Sequence, residues 1–141
     1  MATQEKTSIT VESTVKAPVD KVWKYWNEPE HIKKWAFASD DWHAPHSEND
    51  IRTNGKFKTT MAAKDGSFSF DFEGVYTNVQ ANKLIEYVMA DGRKVKITFD
   101  SKGNETKLTE TFDAEDTHSI DQQRAGWQAI LDNFAKHTEN N

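Results

Sequence analysis

The chain has 141 residues, a net charge of −5 and no cysteine. That length suits one domain with a sizeable core of its own. The missing thiols exclude disulfide scaffolds, thiolate metal sites and cysteine nucleophiles, and the acidic balance excludes phosphate-backbone binding, which needs a basic face.

The first residues, MATQEKTSIT, lack the basic-then-apolar order of a secretion signal, and no apolar run approaches the roughly 20 residues of a membrane span. A cytoplasmic protein without nucleic-acid or membrane partners is expected. Met1 to about Glu5 and the tail from Thr138 to Asn141 read as frayed ends around an ordered core of about 7–137, a single domain filling 1–141.

Ser8 to Lys16 is rich in β-branched residues and reads as a strand. Pro18 follows, placed where a first helical turn tolerates a missing N–H. Val19, Val22, Trp23 and Trp26 then recur at helical spacing. Glu28-Pro29 ends that helix, and Glu30 to Trp35 reads as a second, shorter one. Phe37 to Asn54 reads as irregular, aromatic and acidic.

From Gly55 the period is two. Phe57, Thr59 and Met61 share one face, and Lys56, Lys58 and Thr60 the other. Asp65-Gly66 marks a hairpin turn. Phe68, Phe70, Phe72, Gly74 and Tyr76 form the apolar face of the next strand. After a turn at Asn78 to Asn82, Leu84 to Met89 is a strand apolar on both sides. Asp91-Gly92 turns into Val95, Ile97 and Phe99, and Lys102-Gly103-Asn104 turns into a strand with Thr106, Leu108, Glu110 and Phe112 on one face.

A meander with one dry face needs a cover. Ser119 and Gln122 form a capping box at the start of a long helix. Its inward stripe is read as Ile120, Gln123, Arg124, Trp127, Ile130, Leu131 and Phe134. The fold class is α+β, ordered β-α-α-β(5-6)-α, with a curved antiparallel sheet wrapped around the C-terminal helix.

The succession VKAPVDKVWKYWNEPEHIKKW, DIRTNGKFKTTM, DGSFSFDFEGVY, LIEYVM, VKITF, TKLTETF and GWQAILDNFAKH resembles the START-like helix-grip (SRPBCC) superfamily. Within it the chain is most similar to the bacterial branch named after activators of the heat-shock-protein-90 ATPase. The resemblance runs from about Ser8 to His137. One departure is Asn54-Gly55, where the family commonly has Gly-Gly.

The resemblance implies a deep cavity between the last helix and the concave sheet, used across the superfamily for lipids, polyketides and other apolar molecules. Phe57, Phe70, Phe72, Phe99 and Trp127 are expected to converge there, with Trp35, Phe37 and Trp42 near an entrance. Met61, Tyr87, Met89, Ile97, Leu108 and Leu131 complete the expected wall. The competing reading is that the rings simply fill the interior.

Glu110 shares a face with Leu108 and Phe112, which aims its carboxyl into the dry side, where it needs a partner or a raised pKa. Arg124 is the expected partner. The pair reads as a structural salt bridge or as a polar hook for a ligand.

His43 and His46 are three apart beside carboxylates, but Pro45 prevents a helical ligand face and no third ligand stands out. A solvated loop is expected there, and a surface position for His31. No metal or cofactor is expected, and no catalytic residue is assigned: nucleophile-elbow, phosphate-loop and dinucleotide patterns are missing.

A binder of a small apolar or aromatic molecule is the leading reading. A chaperone-linked interaction domain is the second, although these 141 residues lack the N-terminal chaperone-docking domain of the eukaryotic activators. A cyclase-, aromatase- or hydrolase-like enzyme using Glu110 or Tyr87 is the third.

Overall fold

The computed structural model describes residues 7–141, so the expected fraying of Met1 to Glu5 lies outside the described residues. The elements follow in the order β1 (Ser8–Val15), α1 (Val19–Asn27), α2 (Pro29–Trp35), β2 (Trp42–Asn49), β3 (Lys56–Ala63), β4 (Ser69–Gln80), β5 (Leu84–Met89), β6 (Lys94–Lys102), β7 (Glu105–Asp113) and α3 (Ile120–Glu139).

The seven strands form one antiparallel sheet in the spatial order β1-β7-β6-β5-β4-β3-β2. β2 to β7 are a meander, and β1 returns to close the far edge against β7. The sheet curls as a half-barrel around α3, which is the expected helix grip.

Local chemistry accounts for most of these elements. Pro18 caps α1, and Pro29 stands in the first turn of α2. The hairpin turns place Gly66, Gly92 and Gly103 at positive φ, a conformation that favours glycine. The substituted position Asn54 also has positive φ, at 71°. A Cβ on neighbouring Gly55 would lie 2.0 Å from the carbonyl oxygen of Asp50, so the second residue of that pair must be glycine.

Three expectations are corrected. Within the segment read as irregular, residues 42–49 form β2, an edge strand with a register shift between His43 and His46. Its exposed, Pro-containing sequence hides the strand, because an edge strand needs neither an apolar alternation nor every N–H. β4 also continues through Asn78 to Gln80, so the turn lies later, around Asn82.

The tail is not frayed either. Thr138 is fully buried, Glu139 accepts from the Lys16 backbone N–H at 2.9 Å, and the Tyr25 hydroxyl donates to the Asn141 carbonyl at 3.0 Å. His31 joins the same cluster. It is stacked on Tyr25 with 3.8 Å between ring centroids and hydrogen-bonded to His137 at 2.9 Å.

The space under α3 divides in two. Its C-terminal half packs tightly: Leu131 and Phe134 are fully buried, and the Phe134 ring meets Trp26 at 4.8 Å and Trp35 at 5.1 Å. Trp23 of α1 meets Phe99 of β6 edge-on at 5.1 Å. The N-terminal half carries Gln123 and Gly126 toward the sheet instead, and there the interior is open.

Candidate functional site

Beneath the N-terminal half of α3 lies a cavity of about 430 Å³, within the range that small-molecule sites occupy. Phe57, Thr59 and Met61 of β3 form one wall with Phe70, Phe72 and Tyr76 of β4. Ile85, Tyr87 and Met89 of β5 and Glu110 of β7 form the floor. Trp127, Gly126 and Ile130 of α3 make the roof, and Ile32 and Trp35 of α2, with Ala36 just after it, close the inner end. Phe70, His118 and Gln122 line it while exposed to solvent, which locates the opening between β4 and the start of α3.

The rings brace one another. Trp127 stacks on Phe112 with centroids 3.8 Å apart and meets Phe72 edge-on at 6.0 Å. Phe57 meets Tyr87 at 4.7 Å and Tyr76 at 5.1 Å. Braced aromatic walls keep volume open, because no ring can turn into the void without losing its contacts.

Polar groups at the two ends are held by the protein itself. The Tyr76 hydroxyl donates to Asn49 Oδ1, and Asn49 Nδ2 donates to the Asn27 carbonyl at 2.7 Å. Burial pushes the Tyr76 hydroxyl pKa up. At the opening, Gln123 Nε2 donates to the carbonyls of His118, at 2.8 Å, and Glu115, at 3.0 Å. Desolvation would raise the Glu115 carboxyl, but backbone N–H donors from His118 and Thr117 outweigh it and hold the pKa down to about 2.

Glu110 differs from all of these. It is 6% exposed, and burial alone raises its pKa from 4.5 to about 8. The expected partner is corrected: Arg124 is exposed and lies 3.7 Å from Asp121, one turn earlier on α3. At residue 124 the helix has rotated past the sheet, and Gly126 and Trp127 face inward instead.

Of the other residues expected at the site, Trp35, Phe57, Met61, Phe70, Phe72, Tyr87, Met89 and Trp127 line the cavity. Ile97, Phe99, Leu108 and Leu131 are buried but belong to the packed part of the core. Parity placed them on the correct face without distinguishing filled from open volume. Trp35 lies deep, not at an entrance, and its Nε1 donates to the Tyr25 carbonyl at 3.1 Å. Phe37 and Trp42 are not on the wall. Trp42 packs with Phe68 and Phe70, centroids 6.0 Å apart in each pair, beside the opening that Phe70 lines.

Sequence reasoning missed Tyr76, Asn49, Arg93 and Gly126 as lining residues. Gly126 carries a readable signal: a glycine inside a helix costs about 1 kcal/mol relative to alanine, so its presence mid-helix asks for a reason. His43 and His46 lie on exposed β2, with His46 Nε2 3.2 Å from Glu48. Among the described residues no group of three or more His, Asp or Glu side chains is placed to hold a metal, and no helix is long and apolar enough to cross a membrane.

Residues 16–139 match the family described as Activator of Hsp90 ATPase homolog 1-like protein. No curated protein matches the chain. A protein from Cytophaga hutchinsonii with a solution structure is 57% identical, with a TM-score of 0.82 over 94% of this chain and 92% of that one. The solution structure of the AHSA1-like protein from Aeromonas hydrophila is 45% identical, with a TM-score of 0.89 over 95% of this chain and 93% of that one. A crystal structure from Chromobacterium violaceum, 20% identical, shares the fold with a TM-score of 0.85 over 94% of this chain and 98% of that one.

Proposed function

Since the chain belongs to the family of Activator of Hsp90 ATPase homolog 1-like proteins, within a START-like fold family known for ligand binding, we propose that it holds a small, mainly apolar molecule between α3 and the concave face of the sheet. The observation that carries this reading is the 430 Å³ cavity, kept open by braced rings.

The energetics suit a receptor of modest affinity. A ligand that buries about 200 Å² of apolar surface there gains on the order of 5 kcal/mol before the loss of its own freedom. Ring walls and a helix roof are already formed, so little ordering of the protein offsets that gain.

Trp26, Trp35 and Trp127 line the cavity and report on its contents. Apolar compounds are expected to quench tryptophan emission and to raise the melting temperature with the logarithm of ligand excess. Native mass spectrometry of protein carried through a gentle purification is expected to show a bound small mass. Unchanged emission and melting across a broad apolar library, with no bound mass, would reject the reading.

A further inference from the structure

Among the hydroxyl, carboxyl, amide and guanidinium groups on the cavity wall, two stand apart. The others are each engaged by a neighbour. Thr59 lies 3.0 Å from Ser47, Arg93 donates to Asp91 at 2.7 Å, and Tyr76, Glu115 and Gln123 are held as described. Tyr87 and Glu110, each 6% exposed, have no hydrogen-bond or ion-pair partner among the described residues. Yet the only fully enclosed side-chain polar atom left unpartnered among those residues is Thr138 Oγ1. The oxygens of Tyr87 and Glu110 are therefore not sealed in packing; they open onto the cavity that both residues line.

The register puts them on one concave face. Tyr87 of β5 is opposite Val95 of β6, and Val95 is opposite Phe112 of β7, two residues from Glu110. Their backbones lie about 10 Å apart across two strand spacings and about 7 Å along the strands. A phenol and a glutamate reaching inward from those positions leave a gap that one ligand group can bridge. Burial first, and the Glu110 carboxylate second, push the Tyr87 hydroxyl well above its ordinary range.

At neutral pH each group keeps its proton, so the cavity offers two O–H donors across apolar space. A carbonyl oxygen has two lone pairs and accepts both. A ligand carboxylate is poorly matched, because Glu48, Glu110 and Glu115 share the wall and the one guanidinium, Arg93, is already paired. An amine would require Glu110 to ionise among Val11, Ile97, Leu108 and Phe112.

The geometry points to a two-donor subsite, the Tyr87 hydroxyl and the Glu110 carboxyl, that recognises the carbonyl oxygen of an uncharged, largely apolar ligand; it rests on the proposed ligand-binding reading of the cavity. The other titratable groups that line the same cavity are Tyr76 from β4, Arg93 just before β6, Glu48 from β2, and Glu115 and His118 from the connection to α3. No lysine is among them.

An isosteric series tests this by calorimetry at pH 6 and pH 9: benzophenone, diphenylmethane, which lacks the oxygen, and diphenylmethylamine, which carries a cation. Benzophenone is expected to bind the wild-type protein at pH 6 about tenfold more tightly than diphenylmethane, and its carbonyl stretch to shift to lower frequency when bound. Tyr87→Phe and Glu110→Leu are each expected to abolish most of that preference. Glu110→Gln, which keeps a donor but cannot ionise, should retain the preference at both pH values, whereas the wild type loses it at pH 9. Diphenylmethane binding verifies that each variant keeps its cavity. Equal binding of ketone and hydrocarbon, an unchanged preference in either donor-deleting variant, or tightest binding of the amine would overturn the subsite while leaving the cavity a receptor. Failure of all three compounds to bind would overturn both.

Discussion

Glu110 occupies the middle of β7, opposite Val11 on β1 and Ile97 on β6, with Leu108 and Phe112 to either side. Burial moves its pKa from 4.5 to about 8. Between those two values the folded chain keeps a proton that the unfolded chain has released, so stability falls as pH rises through that window and levels off above about 8. At full ionisation the cost is on the order of 5 kcal/mol. Glu110→Gln is expected to remove this slope, leaving the variant more stable than the wild type at pH 9. Urea unfolding of both proteins at pH 5 and pH 9 checks it, and parallel profiles would contradict the assignment. The inward aim of Glu110 was legible from strand parity alone. Its lack of a partner was not, because the rotation of α3 that turns Arg124 outward is a property of helix docking.

Among the elements, α3 has the most local support. The Ser119 hydroxyl accepts from the Gln122 N–H at 3.1 Å, and Gln122 Oε1 accepts from the Ser119 N–H at 3.2 Å, satisfying two donors at the helix start. The buried Gln123 ties the same turn to the Glu115 and His118 carbonyls. Ser119→Ala is expected to cost about 1 kcal/mol, measurable by chemical denaturation, and to speed hydrogen exchange first in the turn from Glu115 to Gln123. Because that turn borders the opening, local fraying there should accelerate ligand exit; an unaltered dissociation rate would separate the cap from access. The capping box was visible as a sequence motif. β2 was not, since its pairing with β3 is decided by the neighbouring strand and by a bulge, not by a pattern of its own.

At the scale of the whole molecule, α3 serves two purposes along its length. Its second half closes the core with Leu131 and Phe134, and its first half leaves room over the sheet. Phe134→Ala is expected to destabilise the protein by about 3–5 kcal/mol, as thermal or urea unfolding would report. Gly126→Leu should act in the opposite sense. Beyond its chain neighbours and the helix's own backbone, nothing lies within 4 Å of a Cβ built at Gly126, so a side chain there starts in open space, and it improves helix propensity by up to about 1 kcal/mol. The Gly126→Leu variant is expected to be at least as stable as the wild type and to lose affinity for apolar ligands at least tenfold, measured by tryptophan quenching. Unimpaired binding would place the ligand elsewhere.

Alternating strands, glycine turns, a capped terminal helix and their order along the chain determine the helix-grip architecture, because each is set by local backbone chemistry and side-chain period. They also determine which face of each strand turns inward. Only the tertiary structure decides that Ile97, Phe99, Leu108 and Leu131 fill the interior while Tyr87, Glu110 and Trp127 border empty space. Inward-facing residues share one period whether or not a neighbour reaches them, and the difference depends on how far the sheet curls and where α3 comes to rest across it.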